Sequence, residues 1–148
     1  MLQTMKRITS LLLVLTMACS MTVSERAFVN AATSKEILAA AYTAFRNEIM
    51  SRFGVCMNLP EPPESHDELN ECMGNGYHVE NHDAVVAALG EYIEAAQELG
   101  ELITNNASDA RIKSQYLRLF AAAIKLLEAI PDAKEELTRL KKLVRSVL

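Results

Sequence analysis

The residues best suited to chemistry are crowded together. Cys56, Cys72, His66, His78 and His82 all fall between positions 56 and 82. Two thiols followed by two imidazoles have the donor types of a tetrahedral zinc site. The spacing argues otherwise, because structural zinc sites keep paired cysteines about two to four residues apart and 15 residues separate these two. His78 and His82, four apart and flanked by Glu80 and Asp83, would form only a weak surface site on a helix. We therefore expect no metal and no cofactor, and read the histidines as exposed, with one capping a helix. Covalent catalysis needs a Ser, Thr or Cys against a base, and Ser65-His66 are neighbours only along the chain. The chain contains no Gly-rich phosphate loop, no G-x-S-x-G turn and no Cys-x-x-Cys. It lacks the Glu-x-x-His of carboxylate-bridged di-iron bundles, and no histidine follows His82 to serve as a late haem ligand. A non-enzyme is expected.

Carboxylates are the other concentrated group. From Val55 to Glu101 there are 11 Asp and Glu and no Lys or Arg, whereas Leu102 to Leu148 holds nine basic residues against five acidic. The net charge of −4 gives no basic excess for a nucleic-acid surface. Glu91, Glu94, Glu98 and Glu101 recur three and four apart, a spacing that mildly destabilises an isolated helix. Basic residues of a neighbouring helix, such as Arg111, Lys113, Arg118 or Lys125, could offset that repulsion. The functional alternative is an acidic face for an unidentified protein partner. Its expected contacts are Glu61, Glu64, Asp67 and Glu68, together with Glu91, Glu94 and Glu98.

The start of the chain reads as an export signal over residues 1–24, leaving 25–148 as the folded domain. Lys6 and Arg7 precede an uncharged run from Ile8 to Met21, greasiest at Leu11 to Leu15 and too short to span a bilayer as a helix. Small residues at Ala18-Cys19-Ser20 and Thr22-Val23-Ser24 offer two cleavage points. Thr16-Met17-Ala18-Cys19 resembles a bacterial lipobox, departing from it where Thr16 replaces Leu, and makes Cys19 a candidate lipid anchor. Secretion is the expected destination and the periplasm the alternative. Without the leader, Cys56 and Cys72 remain as an even pair, expected as a disulfide in an oxidising compartment. Asn106-Ala107-Ser108 is an N-glycosylation sequon, with Asn106 the acceptor.

Apolar residues after the leader recur at three- and four-residue intervals, predicting an all-α chain. A first helix is expected to start at Thr33 or Ser34, through the capping box Thr33-Ser34-Lys35-Glu36. Its stripe is Ile37, Leu38, Ala41, Tyr42, Phe45, Ile49 and Phe53, and Gly54 ends it. A second is expected from Asn81 or Asp83 to Thr104, with Val85, Leu89, Tyr92, Ile93, Ala96, Leu99 and Ile103 on one face. A third, capped by Ser108, carries Ile112, Tyr116, Leu119, Phe120, Ala123, Leu127 and Ile130. Pro131 breaks it, and a fourth presents Ala133, Leu137, Leu140, Val144 and Val147. The 26 residues from Val55 to Glu80 predict a loop holding a short helix, capped by Ser65 and ending at Met73. The expected architecture is a four-helix bundle with a long disulfide-clipped loop between the first and second helices. The leading expectation for function is a secreted, non-enzymatic bundle that binds a partner macromolecule. Two alternatives stand beside it. Abundant Ala, with Gly90 and Gly100, could leave room between helices for a small apolar ligand. A lipidated periplasmic chaperone, pilot or immunity-type factor is the other.

Overall fold

The computed structural model describes residues 21–74 and 76–145. Residues 1–20 of the expected leader, Cys19 among them, and Val147 lie outside these residues, whereas its residues 21–24 lie inside, with Thr22 as the N-cap of the first helix and Val23 and Ser24 in its first turn. The described chain is helical, with no strand: α1 Val23–Met57, α2 His66–Met73, α3 Val79–Thr104, α4 Asp109–Ala129 and α5 Lys134–Arg145. None of these helices is long and apolar enough to cross a membrane.

Helix α4 is the centre of the fold, packed against α3 most extensively, then α1 and α5. Every residue of its expected stripe, from Ile112 to Ile130, is buried, joined by Leu126. Helix α3 runs antiparallel to it, since Gln115 Nε2 donates to Ala95 O (3.1 Å) while Lys125 meets Glu91. Ser108 is the N-cap residue of α4, without a side-chain cap bond. The chain leaves α4 at Ile130, where Pro131 denies the helix its next donor.

Helix α1 begins at Val23 rather than at Thr33 or Ser34. Its capping box is Thr22 with Glu25: the Glu25 amide donates to Thr22 Oγ1 (3.2 Å), and the Thr22 amide donates to Glu25 Oε2 (2.7 Å). The Thr22 amide, and then the Thr22 hydroxyl donating to the same Oε2 (3.0 Å), hold the Glu25 carboxyl below the usual carboxylate range. The expected cap residues bond backwards along the helix instead. Thr33 Oγ1 donates to Val29 O (3.0 Å) and Ser34 Oγ to Ala31 O (2.8 Å), which is how hydroxyls are accommodated in a helix interior. Nor does Gly54 end the helix, which continues to Met57 and stops at Asn58, whose Nδ2 donates to Gly54 O (2.7 Å). The added turn carries Cys56, buried and bonded to Cys72. Phe53, expected on the core stripe, is substantially exposed.

The disulfide straps α2 to the end of α1. Ser65 caps α2 by accepting from the Glu68 amide (3.2 Å). Past α2 the connection is pinned by a cluster around Arg52. Its Nε donates to Glu48 (2.7 Å), its Nη1 to Met73 O (2.8 Å), and its guanidinium lies 4.1 Å from the Tyr77 ring centre. Tyr77 stacks on Phe45 and donates to Asp132 (3.4 Å). Burial, then the nearby Asp132 charge, pushes the Tyr77 phenol up. Gly76 adopts φ 86°, and a Cβ there would sit 2.8 Å from Pro131, so glycine is required on two counts. Helix α3 starts at Val79, earlier than Asn81 or Asp83. Asn81 instead ties the connection down, its Nδ2 donating to Gly76 O and Ala129 O.

Candidate functional site

The predicted stripe of α3 divides into two. Val85, Tyr92 and Leu99 are buried, joined by Ala88 and Ala95 from outside that stripe, whereas Ile93 is 47% exposed and Leu89, Ala96 and Ile103 are half-buried. The second set faces α1, but α1 and α3 make little contact with each other. They are held at one point by a buried hydrogen bond between Ser34 Oγ and the Tyr92 hydroxyl (3.0 Å). Burial raises the Tyr92 phenol above its ordinary range, and the Ser34 hydroxyl offsets this in part. Over this point the helices leave an open groove of about 690 Å³. Leu38, Tyr92 and Leu99 are its deepest lining residues. Phe28, Ala31, Ala32, Ala39 and Tyr42 form the α1 wall, and Leu89, Ile93, Ala96, Gly100 and Ile103 the α3 wall. Phe28 is 65% exposed beside it. Lys35 is the one charged residue in the lining among the described residues, and Gln97 stands on the opposite helix. The size falls within the roughly 300–1,000 Å³ of small-molecule sites, which are mostly apolar with a few polar groups.

The small residues explain the gap. Ala31, Ala32, Ala39, Ala96 and Gly100 project too little to fill the space between helices that α4 holds on either side of it. A Cβ added at Gly100 would meet nothing within 4 Å. The alternation of α3 toward two faces was a readable signal, since its apolar residues span more than one stripe. Lys35 was not singled out by the sequence, where it is one lysine of an apparent capping box.

The predicted acidic contacts lie in two separate places. Glu61, Glu64 and Glu68 are brought together with Glu71, which the sequence reading did not select, around a cleft lined by Pro60, Pro62 and Pro63. Glu68 accepts from the Glu64 amide (2.9 Å). Asp67 is exposed in the first turn of α2. On α3, Glu91 pairs with Lys125 (2.6 Å) and Glu98 with Arg118 (2.7 Å), two of the offsetting partners expected on the neighbouring helix. Glu94 is exposed.

Among the described residues, no three His, Cys, Asp or Glu are grouped to hold a metal ion. His66 Nδ1 lies 4.0 Å from Glu80 and His82 Nδ1 3.6 Å from Asp83, all exposed or half-exposed, while His78, expected to be exposed, is half-buried at the N-cap position of α3 and makes no side-chain cap bond. Asn106 is exposed in the turn between α3 and α4 at φ 50°. Further exposed apolar residues, Met50, Phe53, Val55 and Met57, lie along the end of α1, with Leu59 just past it, and none of them lines the groove. The chain matches no family model, no curated protein and no solved structure.

Proposed function

We propose that this chain is an exported, non-enzymatic helical bundle that carries a small apolar ligand in the groove between α1 and α3. Four helices, α1, α3, α4 and α5, act as the bundle, and α2 is a strap on its loop. The observation that carries the reading is the groove: apolar on both walls, sized for a small molecule and open to solvent. Leaving large side chains such as Phe28 and Ile93 in water costs free energy that a ligand would recover. The Cys56–Cys72 bond supports an oxidising destination, and the sequence of the leader supports export.

Titration with the neutral fluorophore N-phenyl-1-naphthylamine tests this reading. The mature protein should bind it saturably, one molecule per chain. Gly100→Leu places a side chain into the groove at an open position, and should weaken binding by at least about tenfold. Helix propensity favours Leu over Gly, so the variant should keep or raise its melting temperature. Absence of saturable binding, or equal binding by the variant, would refute the reading.

A second reading rests on the loop cleft. Glu61, Glu64, Glu68 and Glu71 converge there without a Lys or Arg in the lining, which suits a basic protein partner. Reversing Glu61 and Glu71 to Lys should abolish capture of such a partner at low salt. The α3 carboxylates fit this role less well, because Glu91 and Glu98 already have cations.

A further inference from the structure

Resting on the ligand-carrier reading, we infer that the ligand is a single-chain amphiphile with an anionic head, a fatty carboxylate, whose head is held by Lys35. The groove offers little to a polar ligand. Apart from Gln97 and the Tyr42 hydroxyl its walls are aliphatic and aromatic, and Tyr92 spends its hydroxyl on Ser34. Among the described residues Lys35 is the only charge in the lining, and no carboxylate forms an ion pair with it. A neutral hydrocarbon would give that ammonium nothing, and a cationic amphiphile would be repelled.

The position of Lys35 on α1 suits the head of a chain. Phe28, Ala32, Lys35, Ala39 and Tyr42 follow at three- and four-residue steps, so they share one face of the helix. Lys35 lies seven residues from each end of that series, about 10 Å along the axis in either direction at ~1.5 Å per residue. A lysine keeps its ammonium in water while its methylenes lie on apolar surface. A carboxylate can therefore meet it at the solvent edge while the tail lies between Ala39 and Ile93. Charge complementarity sets the class of head, and groove chemistry sets the class of tail.

Competition against bound N-phenyl-1-naphthylamine, using protein produced with its own leader and recovered in mature form, separates this inference from the reading beneath it. Laurate should displace the fluorophore about three- to tenfold more tightly than dodecanol of the same chain length, a preference that fades as salt rises. Lys35→Met keeps the apolar stem, and should remove the preference by weakening laurate while leaving dodecanol unchanged. Lys35→Arg should retain it. Equal displacement by laurate and dodecanol, or a preference that survives Lys35→Met, overturns the anionic-head inference while fluorophore binding still upholds the carrier. A stable dimer that laurate does not dissociate would name a second copy as the occupant and overturn it as well. So would retention of residues 1–20 with fluorophore binding only after their removal.

Discussion

The two halves of the α1–α3 pair are built in opposite ways. Near the end of α1, the space between helices is filled by the connection: Phe45, Arg52 and Tyr77 stack, Asn81 and Asp132 tether, and Cys56–Cys72 closes the strap. Near its beginning the same two helices share one buried hydrogen bond and otherwise leave an apolar groove. Both halves lean on α4. The difference lies in what stands at the facing positions: long polar and aromatic side chains that meet one another in the first case, and larger apolar side chains interspersed with Ala31, Ala32, Ala39, Ala96 and Gly100 in the second. A fold that secures one end so thoroughly can leave the other unfilled. On the proposed carrier reading that division would favour binding, because a rigid frame lowers the cost of ordering on binding.

The comparison is broken most severely by removing the strap. Cys56→Ser with Cys72→Ser should cost about 3 kcal/mol in the chain-entropy treatment, read by urea unfolding. At temperatures where the variant stays folded, the groove should still take up N-phenyl-1-naphthylamine. Loss of binding by the folded variant would show that the ends are not independent. Gly76→Ala is the next test, since it demands positive φ and collides with Pro131. A loss of about 1–3 kcal/mol is expected, again with the groove intact.

Alkaline unfolding should reach both ends through their tyrosines. The Tyr77 and Tyr92 phenols are raised in the folded protein, chiefly by burial. The folded state therefore holds these protons where the unfolded chain releases them. The associated stability is complete below the ordinary phenol pKa of about 10 and is lost as pH climbs through the folded values. Tyr92→Phe should flatten the fall in melting temperature above that pH, and an unchanged slope would contradict the burial argument. The smallest effect belongs to Glu98→Gln, which breaks a largely exposed pair with Arg118. Its cost should stay below about 1 kcal/mol, and a larger loss would mean the α3 acidic row is structural.

Legibility in the sequence followed the range of the physics. The α4 stripe, the Pro131 break, the Ser65 cap and the Cys56–Cys72 pairing rest on local period, local sterics or simple parity, and all appear in the structure. The start of α1 was misplaced because Thr33-Ser34-Lys35-Glu36 has the residue types of a capping box, while its hydroxyls are satisfied by carbonyls one turn back. The end of α1 was placed too early because Gly54 tolerates a helix interior, and the disulfide supports one more turn. The sequence suggests room between helices from its abundant Ala with Gly90 and Gly100; several Ala and Gly100 do line the groove, and Gly90 does not. Periodicity identifies an apolar stripe but not the neighbour that covers it, so Ile93 read as core. Cross-helix pairs were legible as a class, and Arg118 and Lys125 proved to be the partners of Glu98 and Glu91.

The most direct measurement is by NMR on the mature protein with uniformly carbon-13-labelled laurate. Intermolecular nuclear Overhauser effects should run from the chain protons to the methyl groups of Ala39, Leu89 and Ile93. Contacts confined to Phe53, Val55 and Met57 at the far end of α1, or no intermolecular contacts with ligand at saturating concentration, would contradict the account.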